Sequence, residues 1–189
     1  MPLSGRFQEA LAYACELHAE QKRKGTEIPY VAHLLAVASI ALEHGASEDE
    51  AMAAALHDAV EDQGGRPIGE EIRRRFGDAV ADIVYGCTDA EVIPKPPWRD
   101  RKEQYVAHLA QAPRSVLLVS ASDKLHNARA LVADYRQLGD DLWPRFAGGR
   151  DGTLWYYRAL VGAFQAVFPG RLTEELDRVV SELERLVVS

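Results

Sequence analysis

The run Leu56-His57-Asp58-Ala59-Val60-Glu61-Asp62 sets an imidazole beside a carboxylate and places a second pair of carboxylates one helical turn later. On a helix, His57 and Glu61 are four apart, Asp58 and Glu61 three, and Asp58 and Asp62 four, so their side chains share neighbouring turns of one face. Three carboxylates and an imidazole converging there repel one another unless a cation or strong donors sit among them. A metal site is therefore the leading reading. The competing one is a solvated acidic helix end, stopped by Gly64-Gly65. The apolar run Ala51–Leu56 leads straight into the cluster, which implies that it emerges from a buried helix.

Three other segments carry polar groups of the same kind. Tyr30-Val31-Ala32-His33 opens an apolar helix with a histidine, a placement more often structural than metal-ligating. Ser122-Asp123-Lys124-Leu125-His126-Asn127 embeds an aspartate in a strongly apolar helix, with Asn127 four residues on and on the same face. A buried carboxylate needs a partner; Lys124, or an arginine such as Arg129, would serve that purpose as well as a metal. Arg23-Lys24 is a basic pair before a glycine turn, and taken alone it is a solvated helix end. Taken jointly, His33, His57, Asp58 and Asp123 supply two nitrogen and two oxygen ligands. With water in the remaining positions, that mixed set suits octahedral Mn2+, Mg2+ or Fe2+ better than a closed structural zinc site. Open positions allow such an ion to polarise a phosphoryl oxygen and to lower the pKa of a water.

The elements that must position these groups read as helices nearly throughout. Phe7, Leu11, Ala14, Cys15 and His18 follow helical spacing, and the helix runs towards Gln21-Lys22-Arg23-Lys24-Gly25. A second apolar helix spans about Ala32–Glu43. Ser47, with Glu50 three residues later, predicts a capping box at the start of the helix that carries His57 and Asp58. Further helices are expected at about Gly69–Phe76, Asp78–Cys87, Arg99–Gln111, Ser115–Leu138, Thr153–Phe168 and Thr173–Val188. Glu91–Trp98, with Pro94, Pro96 and Pro97, reads as a loop, and Gly139–Gly152 as a connection. Val116-Leu117-Leu118-Val119 would pass for a short strand, but its continuation through Leu125 and Leu131 favours helix. No alternating run, repeat or low-complexity segment argues otherwise, and the expectation is one all-α domain over residues 1–189.

Composition agrees with an ordinary globular protein: 189 residues, 47% apolar and 27% charged. A formal charge of −7 argues against a generic nucleic-acid-binding surface, though not against an anionic small molecule in a local pocket. No stretch approaches the roughly 20 apolar residues of a membrane span, and no apolar signal region follows Met1–Arg6. Cys15 and Cys87 have no metal-ligand spacing and are expected as core thiols in a reducing cytoplasm.

The order His…His-Asp…Asp resembles that of the HD-domain phosphohydrolases. The finer resemblance is to the hydrolase domain of the RelA/SpoT family, which removes the 3′-pyrophosphate from guanosine tetra- and pentaphosphate. It rests on Gln21-Lys22-Arg23-Lys24-Gly25, Pro29-Tyr30-Val31-Ala32-His33, Leu56-His57-Asp58-Ala59-Val60-Glu61-Asp62, Phe76-Gly77 with Thr88-Asp89, and Asp123-Lys124-Leu125-His126-Asn127, in that family's order. It covers about Phe7 to Phe168 and implies a helical HD-domain bundle. The resemblance implies that His33, His57, Asp58 and Asp123 bind the metal, usually manganese, and that Glu61 and Asp62 orient the attacking water and handle protons. A carboxylate one turn from the ligands reaches that water without being a ligand itself. Arg23 would stack on the guanine or hold phosphates beside Lys24, Asn127 would hydrogen-bond the nucleoside, and Tyr156 would line the ribose side. Lys124, Arg101 and Lys102 are further phosphate-binding candidates.

Two residues depart from the family pattern. Leu34 stands where proline usually follows the first histidine, and Ala130 stands where many members carry threonine, which bears on guanine specificity. The resemblance implies a small stand-alone alarmone hydrolase, because bifunctional relatives continue into a synthetase domain. The partner expected is a guanine nucleotide, with neither nucleic acid nor membrane. The alternatives are an HD-type phosphohydrolase of another nucleotide and a non-catalytic nucleotide sensor. The intact ligand quartet and the Glu61-Asp62 pair argue against the sensor.

Overall fold

The computed structural model describes residues 3–89 and 96–188. Its helices are α1 (Gly5–Leu17), α2 (Val31–Glu43), α3 (Glu48–Leu56), α4 (Ala59–Gln63), α5 (Arg66–Phe76), α6 (Asp78–Cys87), α7 (Trp98–Leu109), α8 (Arg114–Leu138), α9 (Gly149–Val167) and α10 (Arg171–Val188). Among the described residues there is no strand, only an isolated antiparallel bridge between Lys22 and Pro29 that closes the loop carrying Arg23 and Lys24. The all-α expectation is borne out. No described helix is long and apolar enough to cross a membrane.

The innermost helix is α3. Ala51, Met52, Ala53, Ala54, Ala55 and Leu56 have no exposed surface, as a helix apolar on every side requires. It packs against α1, α2, α6 and α8, and its alanines let those helices come close. The expected capping box starts it: the Ser47 hydroxyl accepts from the Glu50 amide, and the Glu50 carboxylate accepts from the Ser47 amide at 2.7 Å.

Around α3 lies one half of the core, with Leu34, Val37, Leu56, Ile72, Phe76 and Val84 among its members. The other half gathers Leu118, Leu125, Leu142, Leu160, Phe164 and Leu176 from the second part of the chain. The long helix α8 joins the two, with Val116 and Val119 in the first and Leu117, Leu118 and Leu125 in the second. Three site-bearing segments are thus held against one another: the first turn of α2, the end of α3, and the middle of α8.

The structure corrects several expectations. The segment through His57 and Asp58 is not one continuous helix: α3 stops at Leu56, α4 starts at Ala59, and the two residues form the turn between them. The His57 ring takes the Ala54 carbonyl at 2.8 Å, the acceptor that a continuing helix would give to the Asp58 amide. Gly64 and Gly65, both at positive φ, then end α4 as expected.

Gly139–Gly152 is not a plain connection. A 3-10 helix runs over Gly139–Arg145, and α9 begins at Gly149, where Gly148 and Gly152 leave room for the Trp98 ring. A Cβ on Gly148 would lie 2.6 Å from that ring. Helix α5 starts at Arg66, ahead of the expected Gly69, and Cys15 is exposed while Cys87 is buried. Of the loop expected at Glu91–Trp98, Pro94 lies outside the described residues; Pro96 and Pro97 are non-helical and lead into α7.

Candidate active site

His33, His57, Asp58 and Asp123 meet at one point. His33 Nε2 lies 3.5 Å from Asp58 Oδ2 and 3.2 Å from Asp123 Oδ1. His57 Nε2 lies 3.0 Å from Asp58 Oδ2 and 3.6 Å from Asp123 Oδ1. Ligand atoms of His33, His57 and Asp58 all fall within 4.8 Å of one another. All four residues were expected at the metal, and the fold brings all four together.

These residues fit a divalent cation. The two Nε2 atoms are buried and have no hydrogen-bond partner, although each faces two carboxylate oxygens. At His57 the Ala54 carbonyl accepts from Nδ1, which leaves Nε2 as a lone pair. Lone pairs and carboxylates aimed at one another repel unless a positive charge lies between them. Burial alone would lower the His57 pKa, but the charge of Asp58 and the nearby Asp123 carboxylate hold it well above the usual imidazole value. Against burial, which raises them, His57 holds the Asp58 carboxyl well below its ordinary range, and Lys124 does the same for Asp123. The cluster attracts positive charge.

The carboxylates have further partners. Tyr30, one turn before His33, donates its hydroxyl to Asp58 Oδ2 at 2.5 Å. Asp123 Oδ2 accepts from Lys124 Nζ at 2.6 Å, and Asp123 Oδ1 from Asn127 Nδ2 at 2.5 Å. Lys124 is therefore the neighbouring partner weighed for a buried Asp123, and Asp123 in turn holds its ammonium well above the usual pKa in spite of burial. Arg129 is not a partner of Asp123; it pairs with Glu175.

His33, Asp58 and Asp123 of the cluster line a cleft of about 810 Å3, within the size range of small-molecule sites. Glu61 and Asp62 line it beside the ligands. Asp62 Oδ2 accepts from Gln21 Nε2 at 2.8 Å. On the loop wall, Arg23 donates to Asn127 Oδ1 at 2.7 Å and lies over the Tyr30 ring. Lys24 sits over Phe146.

Arg101, Lys102, Tyr156 and Tyr157 also line the cleft. Arg101 and Lys102 both pair with Asp89, at 2.6 and 2.5 Å, so their charge is partly committed before any ligand arrives. Burial and the nearby Lys124 lower the Lys102 pKa, against the pull of Asp89. The Tyr156 hydroxyl is buried without a partner, and Ala130 forms part of the wall.

Sequence reasoning assigned no role to Tyr30, Gln21, Asp89 or His126, although each stands in a quoted motif. His126 Nδ1 lies 2.7 Å from His33 Nδ1. Burial, then His33 and Arg23, depress its pKa to about 4. The signal available for it was its spacing of three from Asp123, which puts it one turn along the same helix.

An all-helical fold that gathers two histidines and two aspartates beside a cleft defines the HD-domain class of protein. Residues 10–154 match the family model described as HD domain, and the chain belongs to that family. It is 40% identical over 126 residues to the guanosine-3′,5′-bis(diphosphate) 3′-pyrophosphohydrolase MESH1 of Xenopus tropicalis, over 65% of this chain and 68% of that relative. It is 39% identical over 126 residues to the guanosine-3′,5′-bis(diphosphate) 3′-pyrophosphohydrolase of Aquifex aeolicus (strain VF5), over 66% of this chain but 18% of that relative. The solved structure titled "A metazoan ortholog of SpoT hydrolyzes ppGpp and plays a role in starvation responses" superposes with a TM-score of 0.80 at 26% identity, covering 99% of each chain. The resemblance read from the motifs is borne out by these relatives.

Proposed function

We propose that the chain hydrolyses the 3′-pyrophosphate of guanosine tetra- and pentaphosphate, and so degrades the alarmone of the stringent response. The observation that carries this reading is the joining of two features in one cleft. His33, Asp58 and Asp123 of the cluster line it together with Arg23, Lys24, Lys124, Arg101 and Lys102. A substrate with phosphates on both 5′ and 3′ oxygens needs cations away from the reacting centre as well as at it. The names of the relatives support the same assignment.

His33, His57, Asp58 and Asp123 would hold Mn2+, with Mg2+ or Fe2+ as the alternatives. The ion supplies a Lewis acid for the phosphoryl oxygen and a lowered pKa for the attacking water. Water adds to the phosphorus attached to O3′, the bond from phosphorus to O3′ breaks, and a proton returns to O3′, giving GDP and pyrophosphate from the tetraphosphate. Glu61 and Asp62 stand beside the ligands to orient the water and move its proton. Gln21 holds Asp62 in place through the bond to Oδ2. Arg23 and Asn127, already joined by a hydrogen bond, form the nucleoside end, and Tyr156 offers its unpartnered hydroxyl from the cleft lining. A reducing cytoplasm, the setting of such chemistry, suits two free cysteines.

The test is to incubate the Mn2+-loaded protein with a nucleotide panel and identify the products. GDP and pyrophosphate from guanosine tetraphosphate are expected, with nucleotides lacking a 3′-phosphate left largely intact. Orthophosphate release from ordinary nucleoside monophosphates, unaffected by Arg23→Ala, would move the chain to another HD-type activity.

A further inference from the structure

His33 and His57 present Nε2 to the same carboxylates, but their other nitrogens meet different acceptors. His57 Nδ1 faces the Ala54 carbonyl at 2.8 Å, a group with no proton to offer, so the ring has one tautomer available when neutral. His33 Nδ1 faces His126 Nδ1 at 2.7 Å, with the rings 4.9 Å apart and tilted by 41°. The two rings share that contact, and only one proton fits between the facing nitrogens. With the proton on His33, its Nε2 is a lone pair directed at Asp58 and Asp123. With the proton on His126, the hydrogen of His33 sits on Nε2, 3.2 Å from Asp123 Oδ1, and occupies the place of a cation.

We propose that His126 is a positioning residue, which accepts the His33 Nδ1–H bond and so selects the tautomer of His33 that binds the metal. Its own Nδ1 is turned to the far side of the His33 ring from Nε2, so it acts through His33 and is not a fifth ligand. Helix α8 thereby contributes twice to the centre, with Asp123 as a ligand and His126, three residues later, as the group that prepares another ligand. Apparent affinity falls by the fraction of the protein in the competent form, so a site free to choose the other tautomer binds metal less tightly. This inference rests on the divalent-metal reading of the site.

The experiment measures Mn2+ affinity of the full chain, by the paramagnetic resonance signal of free Mn2+, for wild type, His126→Leu and His126→Asn. Loss of an outer-shell partner is worth about 10–100-fold in metal affinity, and His126→Leu is expected in that range. His126→Asn places an amide oxygen where Nδ1 stood and is expected to recover most of the loss. In nitrogen-15 histidine spectra of the Zn2+-loaded wild type, His33 is expected to carry its proton on Nδ1. Thermal unfolding in chelator shows whether His126→Leu is folded; if it is not, His126→Asn and the His33 spectrum decide. Wild-type affinity in a folded His126→Leu variant overturns the role of His126 alone, whereas a His33 proton on Nε2 with Zn2+ present overturns His33 as a ligand and this inference with it. Wild type without a Mn2+ site overturns the metal reading and this inference with it.

Discussion

Metal-dependent stability gives a direct measure of the cluster. His33, His57, Asp58 and Asp123 come from α2, the α3–α4 turn and α8, so they converge only in the folded chain and the unfolded chain has no comparable site. Mn2+ at a hundred times its dissociation constant then stabilises the native state by about 2.7 kcal/mol. For a domain of this size that corresponds to a rise in Tm of about 5–11 °C. Asp58→Asn is the informative perturbation. It keeps the shape of the side chain and an oxygen for the Tyr30 hydroxyl, but removes the charge that faces both Nε2 atoms. Its Mn2+-induced shift is expected to fall to less than about a third of the wild-type value. Asp82→Asn, which alters an exposed partner of Arg73 far from any ligand, serves as the control and should keep the full shift. The assay is thermal unfolding in chelator, followed by a Mn2+ titration at fixed protein concentration. A full shift in Asp58→Asn, or a wild type unmoved by saturating Mn2+, would refute the reasoning.

Glu61→Gln is expected to leave Mn2+ affinity near wild type while lowering kcat by about 10²–10⁴-fold; loss of metal instead would make Glu61 a ligand. Arg23→Ala removes the donor to Asn127 Oδ1 and is expected to raise KM with metal content unchanged, as loss of uniform binding does; a change in kcat alone would contradict this. Burial holds the His18 imidazole below its ordinary pKa against the hydrogen bond it gives to the Gln21 amide oxygen. The unfolded chain therefore binds that proton first, and the contribution to stability is complete above about pH 6.5 and lost as the pH falls towards the folded value. His18→Phe keeps a ring stacked beside Tyr30 and is expected to flatten that slope in urea unfolding; an unchanged slope would assign it to other groups.

The legible part of this protein was the identity of its polar residues within apolar helices. A histidine opening α2 and an aspartate in the middle of α8 each allow a structural explanation taken alone, and the fold places both at one point with His57 and Asp58. What sequence spacing could not convey was direction. Helical spacing counts His57, Asp58 and Glu61 along one face, yet α3 stops at Leu56, where the His57 ring competes for the Ala54 carbonyl. That competition depends on a rotamer, which no periodicity encodes. Lys124 reads as a phosphate-binding cation from its charge, but its ammonium folds back onto the adjacent Asp123. Arg101 and Lys102 are similarly engaged by Asp89, so their availability to a ligand depends on an ion-pair exchange rather than on their presence in the cleft. His126 is the extreme case. Its partner His33 is on another helix, and the contact that gives it meaning is one nitrogen facing another. Local pattern finds ligands because burying a charge demands an explanation within its own helix. The partner of a group such as His126 lies on another helix, and only the packed fold reveals it.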